Sequence, residues 1–291
     1  MLSRLFNYKF HVLPFINPFI HSQINSLRDF NGTNVNKRKT PIIISLTSYK
    51  ERFENLPITI FSLLKQKRKP DRIILWLSDE LNLSTIPYEI SQFIKNGLEI
   101  KFVKDIGPYT KNIYALKEYQ NSIIVTADDD IYYPSDWLDK LYLSYMAYPD
   151  DIHCHRAHRV EIFNGEIMPY ETWKKHVNEE SACFDNFLTG VGGVLYPPKC
   201  FNSEALRKDI FKKYSPNADD IWFWVMAVIN NKKIRIVKNH NKHLISVNMF
   251  EQISKNNLYK TNKNGGNDKQ LASLMQFYGQ NIYNRILAEN K

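Results

Sequence analysis

Three consecutive carboxylates, Asp128, Asp129 and Asp130, close the apolar run Ser122–Val125 after Thr126 and Ala127. Adjacent negative charges at the end of a buried strand repel one another, and a cation relieves the repulsion. Asp128 and Asp130 are two residues apart, so in extended backbone they point the same way. Hard oxygen ligands of this kind suit Mg²⁺ or Mn²⁺ better than zinc, and such an ion commonly serves a diphosphate. An acidic loop or a helix cap is the plainer use of the same residues. The strand-end setting favours a site.

The elements that must hold these acids alternate. Pro41–Ser45 carries three consecutive Ile and reads as a buried strand, and Leu56–Leu64 has apolar residues at helical spacing. Arg72–Leu77 reads as a strand, Pro87–Lys95 as a short helix, Leu98–Val103 as a strand, Lys111–Tyr119 as a helix and Ser122–Thr126 as a strand. Strands alternating with helices predict an α/β fold: a mostly parallel sheet with helices on its faces and ligands at the carboxyl ends of the strands. Thr47, Ser48, Tyr49, Arg52, Asp79, Asp105 and Lys111 all fall at such ends. They offer hydroxyls, a stacking ring, a guanidinium, acceptors for a base or ribose, and a cation at a helix start for a phosphate. Taken singly, each is also an ordinary surface or capping residue.

The second half predicts a helix at Trp137–Tyr148, strands at His153–Ile162 and Glu166–Tyr170 around the turn Asn164-Gly165, a glycine cluster at Gly190–Gly193, and a helix at Asp219–Asn230. A strand at Lys233–Val237 and a closing helix at Asp268–Leu287 follow, separated by an Asn- and Lys-rich stretch of little apolar content. The expected organisation is an N-terminal arm and linker over 1–40, a catalytic domain over 41–238 with halves 41–130 and 131–238, and a basic tail with a closing helix over 239–291.

The chain has 291 residues, 43% of them apolar, enough for a sizeable core. Its net charge of +9 suggests an anionic partner. Cys154, Cys183 and Cys200 form no CxxC pair, so neither a disulfide framework nor a zinc ribbon is expected, and a cytoplasmic setting is the simplest. No apolar run reaches the length of a membrane helix. Met1–Ser22 is basic and aromatic but interrupted by Pro14 and Pro18; it reads either as a membrane-surface segment or as an arm packed on the domain. The Lys-rich tail reads as a solvated surface that can also close over a diphosphate or face anionic lipid, so peripheral contact with the inner face of the cell membrane stays open. Nucleic acid is not expected, because no nucleic-acid module appears.

Ile-Ser-Leu-Thr-Ser-Tyr, Pro70-Asp71-Arg-Ile-Ile-Leu-Trp-Leu, Asp105-Ile-Gly-Pro-Tyr-Thr-Lys111 and Thr-Ala-Asp-Asp-Asp-Ile-Tyr-Tyr-Pro134, in this order, resemble glycosyltransferases of the GT-A fold. The likeness is nearest to family 2-like bacterial enzymes of surface polysaccharide and lipopolysaccharide biosynthesis, and it covers roughly Pro41 to Val237. It implies a Rossmann-like, mostly parallel central sheet with a smaller mixed second sheet. It implies that Asp128 and Asp130, as a DxD motif, hold Mn²⁺ or Mg²⁺ and the donor diphosphate. The glycine loop would lie along the donor and acceptor sugars, and Asp219-Asp220 would open a helix with Asp220 as the base of an inverting enzyme. A C-terminal histidine, His240 or His243, is a candidate to complete the metal site. Asp129 is then expected on the donor ribose or sugar.

The residues give physical reasons for the same roles. Gly192 and Gly193 let backbone approach a bulky sugar without a Cβ clash, although a bulge or a tight strand crossing asks for glycine equally. Asp219 and Asp220 can serve as helix caps, or one can take the acceptor hydroxyl proton while its neighbour binds acceptor hydroxyls. Trp222 offers a face for a sugar, with one of Trp222 and Trp224 expected in the core. His153-Cys154-His155 lacks a second ligand cluster, which argues against zinc. The expected activity is transfer of a sugar from a nucleotide sugar, UDP-linked by preference, to a glycan or glycolipid acceptor. The alternatives are a nucleotidyltransferase acting on a sugar phosphate, which would want a glycine-rich triphosphate loop that the first strand lacks, and a non-catalytic glycan- or nucleotide-binding module.

Overall fold

The alternating first half builds one side of a seven-stranded sheet, and strands from the second half complete it. The computed structural model describes residues 30–36, 38–241, 244–247 and 265–289. The N-terminal arm, His243 and most of the Lys-rich tail lie outside the described residues. In chain order the main elements are β1 (Ile42–Thr47), α1 (Leu56–Leu64), β2 (Arg72–Ser78), α2 (Tyr88–Ser91), β3 (Leu98–Val103), α3 (Thr110–Glu118), β4 (Ile123–Thr126), β5 (Ile131–Tyr132) and α4 (Trp137–Ala147). They continue with β6 (Ile152–Cys154), β7 (Ala157–Arg159), β8 (Ile162–Phe163), β9 (Glu166–Ile167), β10 (Asn186–Leu188), β11 (Val194–Tyr196), α5 (Lys208–Tyr214), α6 (Asp219–Ile229), β12 (Ile234–Ile236), β13 (Ile245–Ser246) and α7 (Asn267–Glu289).

The sheet order is β12-β6-β11-β4-β1-β2-β3. Only β11 runs antiparallel to its neighbours, β4 and β6. β1 pairs parallel with β2 and β4 (Ile43 opposite Arg72, Ile42 opposite Ile123), so the strand order reverses at β1–β4 and opens a crevice at their carboxyl ends. The three-Ile run is buried on both faces, as a parallel strand covered by helices requires. Asn164 and Gly165 both have positive φ, 50° and 82°, which suits the tight β8–β9 hairpin. The predicted long strand over His153–Ile162 is instead three short ones: β6 joins the main sheet, β7 pairs with β10, and β8 pairs with β9. Pro87–Lys95 forms only one α-helical turn and then tightens into a 3₁₀ turn through Asn96, which Gly97 ends at φ 105°.

Two positions show how polar side chains fix the frame. Ser45, amid the apolar residues of β1, donates to the Lys111 carbonyl at 2.5 Å and accepts from Trp76 Nε1 at 2.8 Å. That pins the first turn of α3 above β1. Thr59 and Ser62 on α1, with Gln66 just past its end, lie at helical spacing and face the acidic loop and its continuation. Thr59 Oγ1 donates to the Asp129 carbonyl (2.9 Å), Ser62 Oγ accepts from Tyr133 N–H (3.1 Å), and Gln66 bonds Pro134 O and Leu138 N. Each buried polar atom on this stripe is satisfied, so the loop is fixed without a desolvation penalty.

Candidate active site

Asp128–Asp130 sit where β4 ends, beside the carboxyl end of β1. Lys111 reaches them from the first turn of α3. Its Nζ stands 2.5 Å from Asp128 Oδ1 and 3.5 Å from Asp219 Oδ2. Asp219 and Asp220 form the first turn of α6, where the helix dipole favours negative charge. Asp220 Oδ1 accepts from Gly190 N–H at 2.9 Å. Acids separated by roughly 90 residues thus meet around one buried lysine.

Charge sets the character of this cluster. Five carboxylates (Asp128, Asp129, Asp130, Asp219 and Asp220) face two cations, Lys111 and Arg52. Burial pulls the Lys111 ammonium toward neutrality, but Asp128, Asp219 and Asp220 outweigh it and hold its pKa well above the usual lysine range. Burial likewise opposes the charge on Arg52, and Asp129 and Asp130 outweigh it, raising its pKa. Burial and the charges of Asp128 and Asp129 push Asp130 up to about 6. Burial and the neighbouring Asp219 push Asp220 up to about 8, and burial raises Asp219 as well. The surplus of carboxylate over cation is the setting in which a hard divalent ion fits, and Asp128 and Asp130 offer the ligand type. Among the described residues no three His, Cys, Asp or Glu side chains close around one point, so an ion here would draw further ligands from substrate or water.

The other predicted residues divide. Arg52 Nη1 bonds Asp129 Oδ1 (2.6 Å) and Asp130 Oδ2 (3.2 Å), and its Nε bonds the hydroxyl of Tyr49, half exposed at the rim. Thr47 Oγ1 donates to Trp76 O (2.9 Å). Asp79 and Asp105 are exposed at the ends of β2 and β3. Tyr114 sits between them; burial, then the charges of Asp79 and Asp105, raises its pKa. At the usual strand spacing Asp79 and Asp105 lie roughly 10 and 14 Å along the sheet from Asp128.

Four expectations need correction. The Asp129 carboxylate, buried, is committed to Ser48 Oγ (2.6 Å) and Arg52, so it braces the loop and is not free for a ribose or sugar. Trp222 is fully buried with Nε1 donating to Ala205 O (3.0 Å), and Trp224 is buried as well; neither presents a face to a sugar. Gly193, at φ 83°, would place a Cβ 2.4 Å from the Trp137 ring, so glycine is required there for backbone conformation and for packing on α4. A Cβ on Gly192 would lie 2.9 Å from Arg156 Cβ, which is packing again, not sugar approach. Gly190 is the glycine that faces the acids, with a notional Cβ 2.9 Å from Asp220 Oδ1 and 3.5 Å from Lys111 Nζ. Of the two histidines, His240 bonds Asn178 Oδ1 at 3.2 Å, and His243 lies outside the described residues.

Ser48, expected at the strand end, bonds the Asp129 carboxylate. Three features carried little sequence signal. Tyr133, whose hydroxyl accepts from Asp128 N–H at 2.8 Å, braces the acidic loop. β13 pairs antiparallel with β5, and Val247 N–H donates to Asp130 O at 2.7 Å, so the chain after β12 returns to the carboxylates. His155, buried, receives Asn241 N–H on Nδ1 (3.1 Å) and bonds Trp137 O through Nε2 (3.0 Å), while Trp137 Nε1 donates to Gly192 O (2.8 Å). A His–Trp pair therefore props the glycine loop from below. A cavity of about 660 Å³, lined by Arg159, Lys174, Asp185 and Leu287 among others, opens elsewhere, toward the other end of the β7–β10 pair.

No protein-family model matches the chain, and no curated protein does. Among solved structures the chain is similar to S. aureus TarS 1–349 in complex with UDP, at 14% identity over 69% of this chain and 59% of that one, with a TM-score of 0.47. It is similar to the same TarS segment in complex with UDP-GlcNAc, at 14% identity over 69% and 57%, with a TM-score of 0.46. It is also similar to the inositol-1-phosphate CTP transferase from T. maritima, at 11% identity over 69% and 86%, with a TM-score of 0.38. The matched region thus spans well under two thirds of the TarS chains.

Proposed function

We propose that this chain is a metal-dependent glycosyltransferase that moves a sugar from a nucleotide sugar, UDP-linked by preference, to a glycan or glycolipid acceptor with inversion. The observation that carries the reading is the meeting of Asp128 and Asp130 with Asp219 and Asp220 around Lys111 in the crevice at the carboxyl ends of β4 and β1. That arrangement supports a two-part site, with the donor diphosphate on the β4 side and the acceptor on the α6 side. The sequence resemblance to GT-A enzymes assigns the same residues to the same halves.

In this reading Asp128 and Asp130 hold Mn²⁺ or Mg²⁺, which supplies Lewis-acid neutralisation of the departing diphosphate. Tyr49 at the rim, with Asp79 and Asp105 farther along the sheet, receives the nucleoside. Arg52 and Lys111 hold the acids in place and add positive charge beside the phosphates. Asp220 accepts the proton of the acceptor hydroxyl as that oxygen attacks the anomeric carbon and the bond to the diphosphate breaks. Burial and Asp219 raise its proton affinity, which strengthens it as a base once ionised. Gly190 N–H fixes the orientation of the carboxylate. Asp219, sharing Lys111, is placed to bind acceptor hydroxyls.

Turnover of UDP-sugars measured with and without EDTA tests the reading. Activity lost in EDTA and restored by Mn²⁺ is expected, and full activity in EDTA sinks the metal assignment. Asp220→Asn should lower kcat by about 10²–10⁴ while UDP still binds. Unchanged turnover would remove Asp220 as the base.

A further inference from the structure

A face remote from the carboxylates combines basic and apolar groups that no role above uses. The loop from α1 to β2 reads Lys65-Gln66-Lys67-Arg68-Lys69. Its backbone is tied to the start of α4, with Lys67 N–H donating to Ser135 O at 2.8 Å. Arg68 then lies along α4, with Nε 2.7 Å from Asp139 Oδ1 and its guanidinium 4.1 Å from the Tyr142 ring centre. Asp139, Tyr142, Leu143 and Met146 are three or four residues apart, so they form one stripe of the helix. Leu143 is 56% exposed and Met146 59%. Tyr148, half exposed, follows with Arg235 stacked 3.6 Å from its ring centre.

Cations outnumber acids on this face. Asp139, Asp136, Asp151 and Asp150 are met by Arg68, Lys140, Arg235 and Lys232. Among the described residues no carboxylate forms an ion pair with Lys65, Lys67 or Lys69, and only the charge of Lys67 is felt at an acid, Asp136. Lys65 and Lys69 both rest on the Phe30 ring, 4.3 and 4.0 Å from its centre, and their crowding adds to burial in drawing the Lys69 pKa down to about 8. Residues 1–29, which precede Phe30 in the chain, carry three cations, Arg4, Lys9 and Arg28, and one acid, Asp29. Cations beside exposed Leu, Met and Tyr match a lipid interface, where apolar chains enter the headgroup layer and amphipathic rings sit at its boundary. A nucleic-acid backbone would use the cations but leave Leu143 and Met146 without a partner.

We infer that the face formed by Lys65–Lys69 and the outer stripe of α4 docks this protein on an anionic phospholipid bilayer. The loop precedes β2 and the stripe runs toward the start of β6, so the face lies at the opposite ends of the parallel strands from Asp128–Asp130. Docking leaves the carboxylate crevice uncovered. The inference concerns binding alone and stands apart from the proposed reaction.

The test is flotation of the full chain with extruded vesicles of phosphatidylcholine, with and without phosphatidylglycerol. The protein should float with the anionic vesicles, stay behind with the neutral ones, and be released by added salt. Lys67→Glu and the pair Leu143→Asn/Met146→Asn should each lower the partition coefficient about tenfold or more. Phe163→Ser, exposed on the β8–β9 hairpin, should leave it unchanged. The idea is overturned if the face variants float like the parent while deletion of residues 1–28 abolishes binding, or if Phe163→Ser costs as much as the face variants. It is equally overturned if sedimentation shows a dimer that Leu143→Asn/Met146→Asn dissolves, which would assign the face to a second copy.

Discussion

Acid should weaken this fold through His155, and the size of the effect follows from its surroundings. Its Nε2 faces the Trp137 carbonyl and its Nδ1 receives the Asn241 N–H, so the neutral ring is fully satisfied. A proton on Nδ1 would set donor against donor inside the core. Burial, opposed only in part by the Trp137 carbonyl, depresses its pKa to about 3, against about 6.5 in an unfolded chain. A histidine with a depressed folded pKa gives its full stability above the unfolded value and loses it as pH falls toward the folded one. Each pH unit below 6.5 then costs about 1.4 kcal/mol, or about 2 kcal/mol by pH 5. His153 and His158, buried with pKa values near 4 and 3, act with the same sign. Asp130 and Asp220, with raised values, act with the opposite sign, so the total curve is not diagnostic. The difference between parent and His155→Gln is. The amide still reaches Trp137 O but does not titrate. Urea unfolding at pH 7.5 should show the variant less stable, and the gap should close by about 2 kcal/mol at pH 5. Parallel curves would refute the argument that the buried ring is held neutral.

Other consequences are quicker to check. Lys111→Met strands Asp128 and Asp219 in the interior and should cost about 3–5 kcal/mol in urea unfolding under EDTA, with part of the loss recovered in Mn²⁺. Gly193→Ala should cost about 3 kcal/mol or more from positive φ and the clash with Trp137, whereas Gly190→Ala should spare most of the stability but displace Asp220 and reduce turnover. Trp222→Phe should lower the melting temperature and leave the acceptor KM unchanged, because the indole serves Ala205 in the core.

Much of the fold was legible because each half-buried element wrote its period into the chain. The Ile run of β1, the helical spacing of α1 and the acidic start of α6 all appear where the pattern places them. The pattern failed at His153–Ile162, where β-rich residues belong to three short strands in three different sheets. Pairing partners are tertiary, and no local period encodes them. Within the site, residue type located the acids and Lys111 but not who faces whom. Asp129 is committed by Ser48 together with Arg52, which also reaches Asp130, and both come some eighty residues earlier in the chain. The glycines were recognisable as special, yet which one faces the acids depends on Trp137 filling the space beside Gly193. The polar stripe of Thr59 and Ser62 on an otherwise apolar helix, continued by Gln66 just past its end, was the overlooked signal that α1 grips the acidic loop.

The central claim is that Asp128 and Asp130 form, with a divalent ion, the diphosphate side of a nucleotide-sugar site. Calorimetric titration of UDP into the chain tests it most directly, with Mn²⁺ and with EDTA, for the parent and for Asp128→Asn/Asp130→Asn. The account predicts a one-to-one isotherm with Mn²⁺ that disappears in EDTA and in the double variant, while the variant keeps its fold. Equal UDP affinity in the parent and the folded variant, with or without Mn²⁺, would contradict it.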